Sequence, residues 1–370
     1  MTSSPLRIGI TGAGGFLGWH MHTHLLARKD IAVDTADRQI FADPSRLRAF
    51  VASVDAIAHF AGSNRGSDRE IHEGNVLPVR QLVEAMQAEG VRPHVLFANS
   101  IQHSRNTAYA LSKRAAAGLL AGWSLDSGAP YANVILPHLF GEAGRPFYNS
   151  AVTTFCHQIA NGEEPRVIVD ADLELVHAQR VAARMLAAIE GRETGDLRVR
   201  GTRMRVSDAL ARIRAIATQY EAHVIPPLTS EFELDLFNTY RSYLFPRHYP
   251  RTLQLRSDAR GELFEAVRSL HGGQCFLSTT RPGITRGNHY HHHKLERFLV
   301  VSGEALIRVR RLLTSDVVEY RVTGDRPAYV DMPALHTHNI TNTGKGDLLT
   351  MFWSHEIFDP ETPDTFQEAV

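Results

Sequence analysis

Near its start the chain carries RIGIT, Arg7 to Thr11, a short run with isoleucines at alternate positions that ends at a glycine. Such a run reads as a strand buried on both faces. Gly12, Gly15 and Gly18 follow at spacing three, and then a helix through about Leu26. The same alternation continues: IAVDTADR ends a second strand, VDAIAHFAG (54–62) is a third and PHVLFANS (93–100) a fourth, with long helical stretches such as 77–89 between them. Strands alternating with helices predict an α/β domain with a doubly wound parallel sheet. The pattern changes after Tyr220. Pro226, Pro227 and FPRHYPR (245–251) read as connecting chain, and strand-like runs with turn residues fill the rest: QCFLSTTRPG, RFLVVSGEALIRVRR, VVEYRVTGD, AYVDMP and DLLTMFW. Close-spaced short strands predict an all-β sandwich or barrel. The expected domains are therefore 1–245, Rossmann-like, and 246–370, all-β.

Composition narrows the partners more than the fold. Lys+Arg and Asp+Glu both count 40, and this balance disfavours nucleic acid or an anionic membrane as partner. No window reads as a membrane span, and MTSSPLRIGITG runs straight into a strand without a signal peptide. Two cysteines, Cys156 and Cys275, form no disulfide framework; each is expected to be a small buried residue, and the cytoplasm is the expected compartment.

A glycine turn between strand and helix allows close approach of a pyrophosphate, which the helix N-terminus stabilises. Gly12, Gly15, Phe16, Leu17 and Gly18 are the candidate cofactor contacts, with Ala61 and Gly62 at the end of the third strand. Ser100 ends the fourth strand, where ligands sit in open α/β sheets. Nine residues on comes Tyr109-Ala-Leu-Ser-Lys113. Tyrosine and lysine four apart share a helix face, and a nearby ammonium lowers a phenol's pKa. Ser100, Tyr109 and Lys113 are the candidate catalytic residues.

These segments, together with Asn75, resemble the extended short-chain dehydrogenase/reductase family over about residues 6–220. The resemblance implies that Tyr109 donates a proton to a ketone oxygen while a nicotinamide delivers hydride, and that the substrate is a nucleotide sugar. LPHLFGEAGRPFYNSAVTTF (136–155) is similar to the segment where that branch meets its sugar nucleotide, which makes Asn149 and Ser150 candidate substrate contacts. Asp34, Asp37 and Arg38 lie where the cofactor's ribose is read. An acid there suits NAD and an arginine suits NADP; Asp37 followed by Arg38 favours NADPH. The chain departs from the family at Ala98 and Asn99, where relatives carry serines, and at LVHAQRV, which lacks an acidic pair.

The second half carries GNHYHHHKLE (287–296). Measured from Gly283, the spacing is G-x5-H-x-H-x4-E-x6-G. Period two puts His289 and His291 on one face of a strand. Pro333-Ala-Leu-His336-Thr-His338 and Asn342 form a second histidine group. This resembles the cupin family, jelly-roll barrels that hold a metal with two histidines and a glutamate from one motif and a histidine from another. By that resemblance His289, His291, Glu296 and His338 are the ligands. Imidazole with carboxylate suits zinc, and also iron, nickel or manganese. Leu335 stands where the family usually has glycine.

End to end, the chain resembles the bifunctional CapF-type enzymes of capsular polysaccharide and O-antigen synthesis, carried by FYNSAVTTFCHQIANGEE, the histidine segments and HEIFDPETPDTF. The resemblance implies that the barrel epimerises C3 of a UDP-2-acetamido-2,6-dideoxy-hexos-4-ulose, a UDP-4-keto-6-deoxy sugar. The first domain then reduces C4 with NADPH to UDP-2-acetamido-2,6-dideoxy-β-L-talose, toward UDP-N-acetyl-L-fucosamine, in a homodimer. Tyr290, His293 and His336 are candidate bases for the epimerisation. Two other readings stand beside this one: a nucleotide-sugar 4-ketoreductase whose barrel only binds or dimerises, and a metal-dependent dioxygenase.

Overall fold

The computed structural model describes residues 5–259 and 261–370. The chain divides into two compact units: Met1–Leu139 with Leu173–Arg203, and Phe140–Asp172 with Met204–Val370.

The first unit is built on β1 (Leu6–Thr11), α1 (Phe16–Leu26), β2 (Ile31–Ala36), α2 (Arg38–Ala42), α3 (Pro44–Ala52), β3 (Ala56–His59), α4 (Asp68–Glu89), β4 (His94–Ser100), α5 (Ala108–Ser127) and β5 (Tyr131–Leu136). Its sheet runs in the order β2-β1-β3-β4-β5, with the strand Gly195–Arg198 at the far edge, and every pairing is parallel. The expected doubly wound sheet is present. Side chains alternate between two cores, as the two-residue period of a strand requires. Ala58, Leu96 and Ala98 face α1 and the helix Ala178–Glu190, whereas Ile57, Val95 and Phe97 face α3, α4 and α5. The chain leaves β1 for β2 on one side and returns to β3 on the other. The ends of β1 and β3 therefore flank a crevice at the switch point, where such sheets bind ligands.

Two helix starts fix the neighbourhood of that crevice. Ser67 and Glu70 form a capping box at α4, and the Thr107 hydroxyl caps α5, so Tyr109 stands in the first turn of α5.

The second unit contains two five-stranded antiparallel sheets. One runs Arg251–Thr252, Ala328–Met332, Glu296–Ser302, Leu348–Ser354, Gln274–Thr280; the other runs Val317–Thr323, Glu304–Arg311, His336–Asn342, Thr285–Tyr290, Phe366–Gln367. The fold class is α/β followed by all-β, as the sequence pattern predicts. A cut near residue 245 follows covalent order; by packing, 140–172 and the helices Val206–Glu221 and Glu231–Leu244 go with the barrel. The second of these helices lies between the two segments read as connecting chain, where the sequence pattern predicts no element. Ser230 caps it, and it buries Leu236, Phe237, Tyr240 and Leu244 at helical spacing between the flanking prolines. Cys156 is buried as expected, but Cys275 is exposed, because it lies on the edge strand Gln274–Thr280 beside exposed Phe276 and Leu277.

A buried ionic network ties the helices to the barrel. Arg297 makes a two-pronged contact with Asp331 at 2.7 and 2.9 Å, with 1% and 0% of the side chains exposed. The Tyr220 hydroxyl donates to the same carboxylate and meets the Tyr249 hydroxyl at 2.7 Å. Arg241 donates to the Met332 carbonyl at 2.7 Å, and the Arg297 guanidinium lies 3.5 Å from the centre of the Tyr329 ring. Removing one partner of such a pair strands the other charge without water. Asp331→Ala is therefore expected to destabilise the second unit by about 3–5 kcal/mol. Denaturant unfolding checks this; an unchanged midpoint would contradict it.

Candidate functional site

The glycine turn has the geometry its sequence suggests. Gly12 has φ +71°, and a Cβ there would lie 2.8 Å from the Ala61 amide nitrogen at the end of β3. A Cβ on Gly18 would lie 2.2 Å from the Gly12 carbonyl, so the helix start packs directly on the turn. Gly15 is the N-cap of α1 and offers no side-chain cap, and Phe16 and Leu17 begin the helix. The first N–H groups of α1 are thus left for an anion. Ala61 lies against Gly12, and Gly62 lies against the Asn75 side chain, whose amide donates to the Ser63 and Ile71 carbonyls.

The ribose-reading candidates separate by their partners. Asp34 sits inside β2, paired with Arg7 at 2.7 Å. One Asp37 oxygen caps α2, accepting from Gln39 and Ile40 N–H at 2.9 and 3.0 Å. Arg38 is exposed, with no ion pair among the described residues.

Ser100 lies close enough to influence the Tyr109 phenol, while its hydroxyl accepts from the Gln102 N–H at 3.2 Å. Burial raises the phenol's pKa, and Ser100 opposes that rise. Lys113 is buried, donates to the Ala98 carbonyl at 2.6 Å and lies 4.2 Å from the centre of the Phe97 ring. Desolvation brings its pKa down to about 7. The ammonium is directed to the Ala98 carbonyl, and burial is the largest influence on the phenol in this arrangement. Sequence reasoning missed the neighbour on its other side. Thr11 Oγ1 and His59 Nδ1 are 2.9 Å apart, and the same hydroxyl accepts from the Phe60 and Ala61 N–H groups. Burial, and then the Lys113 charge, hold His59 neutral with a pKa of about 3. The pair latches the end of β1 to the end of β3; the HFAG segment was the available signal.

Asn149 is exposed, and Ser150 caps the helix Ala151–Ala160 by accepting from Thr153 N–H at 3.3 Å. Both belong to the second unit.

In the barrel the four predicted ligands converge. Glu296 Oε2 lies 3.7, 3.1 and 3.5 Å from Nε2 of His289, His291 and His338. All four potential ligand atoms lie within 4.8 Å of one another. Metal–ligand distances of about 2.0–2.2 Å would put tetrahedral ligand atoms roughly 3.3–3.6 Å apart, so the group fits one ion. The three Nε2 atoms are buried without hydrogen-bond partners. The Nδ1 atoms of His291 and His338 face the carbonyls of Asp364 and His336, which fixes the tautomer with the lone pair on Nε2. Desolvation lowers His338 to about 4, which keeps it neutral. Burial alone would raise Glu296, yet the surrounding histidines, His291 first, hold its pKa well below the usual range.

The local backbone differs from a plain strand. The strand ends at Tyr290, and Asn288, at φ +61°, makes a bulge opposite His338, so His291 leads into the turn. The bulge re-aims both histidines, as bulges do. Leu335 keeps the turn that glycine usually makes, at φ +60° and fully buried. Its N–H donates to the His291 carbonyl at 2.9 Å, binding the two histidine motifs together. The candidate bases diverge. Tyr290 lies between His289 and His291 and packs on Phe366 and His292; His336 packs against Phe245 at 4.8 Å. His293 holds the Asn238 amide through its carbonyl.

The parallel sheet, its glycine turn and the serine–tyrosine–lysine group define a dinucleotide-dependent enzyme of the reductase and epimerase type. Residues 8–199 match the NAD dependent epimerase/dehydratase family, and residues 256–366 match the polysaccharide biosynthesis C-terminal domain. Over 370 residues, 99% of each chain, the protein is 32% identical to a UDP-2-acetamido-2,6-beta-L-arabino-hexul-4-ose reductase of Pseudomonas aeruginosa. It is 34% identical to the capsular polysaccharide assembling protein CapF of Staphylococcus aureus, with TM-score 0.65, covering 98% of this chain and 100% of that one. RMD from Pseudomonas aeruginosa, solved with NADPH, shares the fold at 20% identity and TM-score 0.51, over 57% of this chain and 84% of its own. The chain belongs to the NAD dependent epimerase/dehydratase family and, within it, to the CapF-type enzymes of capsular polysaccharide synthesis.

The metal reading has a direct check. Purified protein is expected to carry about one divalent ion per chain by elemental analysis, and His289→Ala with His338→Ala is expected to lose it. Equal metal in both would contradict the ligand set.

Proposed function

We propose that this protein is a bifunctional nucleotide-sugar enzyme: the barrel epimerises C3 of a UDP-2-acetamido-2,6-dideoxy-hexos-4-ulose, and the first unit reduces C4 with NADPH, giving UDP-2-acetamido-2,6-dideoxy-β-L-talose. The observation that carries this reading is the presence, on one chain similar along its length to a hexul-4-ose reductase, of both Ser100 beside Tyr109 and Lys113 and a His₃Glu cluster in which His291 and His338 are buried. Both reactions need the same C4 ketone. NADPH, when bound, supplies a hydride to the carbonyl carbon. Tyr109 donates the proton to the ketone oxygen, and Ser100 holds that oxygen in reach. Tyr109 and Lys113, the latter anchored on Ala98, would also contact the bound cofactor.

The C3 hydrogen is acidic because the C4 ketone stabilises the carbanion beside it. A divalent cation, zinc by ligand type, would offset the charge growing on the carbonyl oxygen. His289, His291, Glu296 and His338 would hold that cation. Asn149 and Ser150 are the proposed sugar-nucleotide contacts. The reading includes a homodimer, supported by the exposed apolar edge strand Gln274–Thr280, and a cytoplasmic location. Among the described residues no helix is long and apolar enough to cross a membrane.

Two measurements test the reading. Arg38 pairs with the 2′-phosphate while Asp37 is engaged on its own turn, so Arg38→Ala is expected to weaken NADPH binding much more than NADH binding. Tighter NADH binding by the wild type would contradict this. Tyr109→Phe is expected to slow NADPH oxidation by ~10²–10⁴-fold, the usual cost of losing a positioned general acid. The same variant should still exchange the substrate's C3 hydrogen for deuterium without cofactor, seen by NMR. Loss of exchange together with reduction would favour a barrel that only binds or dimerises.

A further inference from the structure

The chain's last residues lie against the histidine turn, with Asp364 at the centre of the contact. One carboxylate oxygen accepts from the His292 N–H at 2.8 Å; the other accepts from the His293 and Lys294 N–H groups, each at 2.7 Å. Three successive amides thus converge on one carboxylate, a backbone arrangement suited to an anion. The backbone carbonyl of the same residue accepts from His291 Nδ1. Thr365 Oγ1 accepts from Lys294 Nζ at 3.3 Å. Phe366 and Gln367 then pair with Tyr290 and His289 as an antiparallel strand, and the Phe366 ring packs 4.6 Å from His292. Residues 289–294 are therefore held by a segment some 70 positions away.

We propose that Asp364 is a positioning residue for the metal centre and that residues 364–367 form a strap which aims His291. The proposal rests on reading His289, His291, Glu296 and His338 as ligands. The carboxylate fixes the turn, and the turn fixes where the Asp364 carbonyl sits. That carbonyl keeps the proton on Nδ1 and turns Nε2 toward Glu296, 3.1 Å away. Without the clamp, three amides lose their acceptor and the imidazole is free to rotate or change tautomer. His338 does not depend on the strap, because its Nδ1 faces the His336 carbonyl on its own strand. Asp364 therefore governs one ligand of four, while Gln367 backs His289 through strand pairing, and loss of the carboxylate weakens the site without abolishing it.

The test uses the full chain and zinc itself. Zinc affinity is read by competition with a chelating dye, and the ligand field by the visible spectrum of the cobalt(II)-loaded protein. Asp364→Ala is expected to bind zinc about 10–100-fold more weakly, the usual effect of removing a group that orients a ligand. Its cobalt spectrum should change as His291 moves, while NADPH binding in the first unit stays at the wild-type value. Asp364→Asn keeps the shape and one acceptor oxygen; it should fold where alanine does not, with a smaller loss in the same direction. Asp359→Ala is the control, since Asp359 caps Glu361 and Thr362 of the same segment. It should bind zinc as the wild type does. Wild-type affinity and spectrum in both Asp364 variants would overturn the strap while leaving the ligand set standing. A wild type that binds no zinc would overturn both. Equal weakening in Asp359→Ala would reduce the effect to general loosening of the C-terminal segment and overturn the specific role of Asp364.

Discussion

The barrel is organised around one electrostatic demand: a carboxylate and three imidazoles meet where little water reaches. Holding Glu296, largely shielded from water, beside buried His291 and His338 costs desolvation, and three ring nitrogens there have no hydrogen-bond partner. Unsatisfied buried polar atoms are rare because each forfeits its bonds to water. The surroundings are shaped to keep these four groups together regardless. Asn288 adopts a bulged backbone, Leu335 accepts a left-handed conformation, and its amide ties the second histidine motif to the first. Leucine in that region costs on the order of 1–2 kcal/mol relative to glycine. Its full burial against the barrel core offsets this.

The second unit also explains why its helices cannot be treated as an appendage of the parallel sheet. Asp331 receives Arg297 and the Tyr220 hydroxyl, while Arg241 and Asn238 reach the Met332 and His293 carbonyls. The last of these contacts steadies the histidine turn from the helical side, as Asp364 does from the C-terminus. The first unit follows a different logic. There the need is close backbone approach, met by Gly12 against Ala61 and by the Thr11–His59 latch that joins the two strands beside the crevice.

Local patterns carried the elements that depend on local forces. Strand, glycine turn and helix were legible from Arg7 to Leu26, because the glycines serve a sterically defined turn. The convergence of His289, His291, Glu296 and His338 was legible because few residue types at narrow spacing mark such a cluster. The helix Glu231–Leu244 was not, since prolines on both sides made its neighbourhood read as linker. Asp364 was hidden for another reason: its partners are backbone amides, which leave no mark on the sequence. The direction of the Lys113 side chain was likewise set by the Ala98 carbonyl, not by its helical spacing from Tyr109.

The central claim is that two sites on one chain act in turn on one ketone. Its most direct test is a single reaction of the wild-type enzyme with UDP-2-acetamido-2,6-dideoxy-hexos-4-ulose and NADPH in heavy water, with the product read by NMR. The account expects inversion at C3, deuterium at C3, and the cofactor's protium at C4. A reduced product that keeps its original C3 configuration and protium would contradict it, leaving a reductase with a barrel that takes no part in the chemistry.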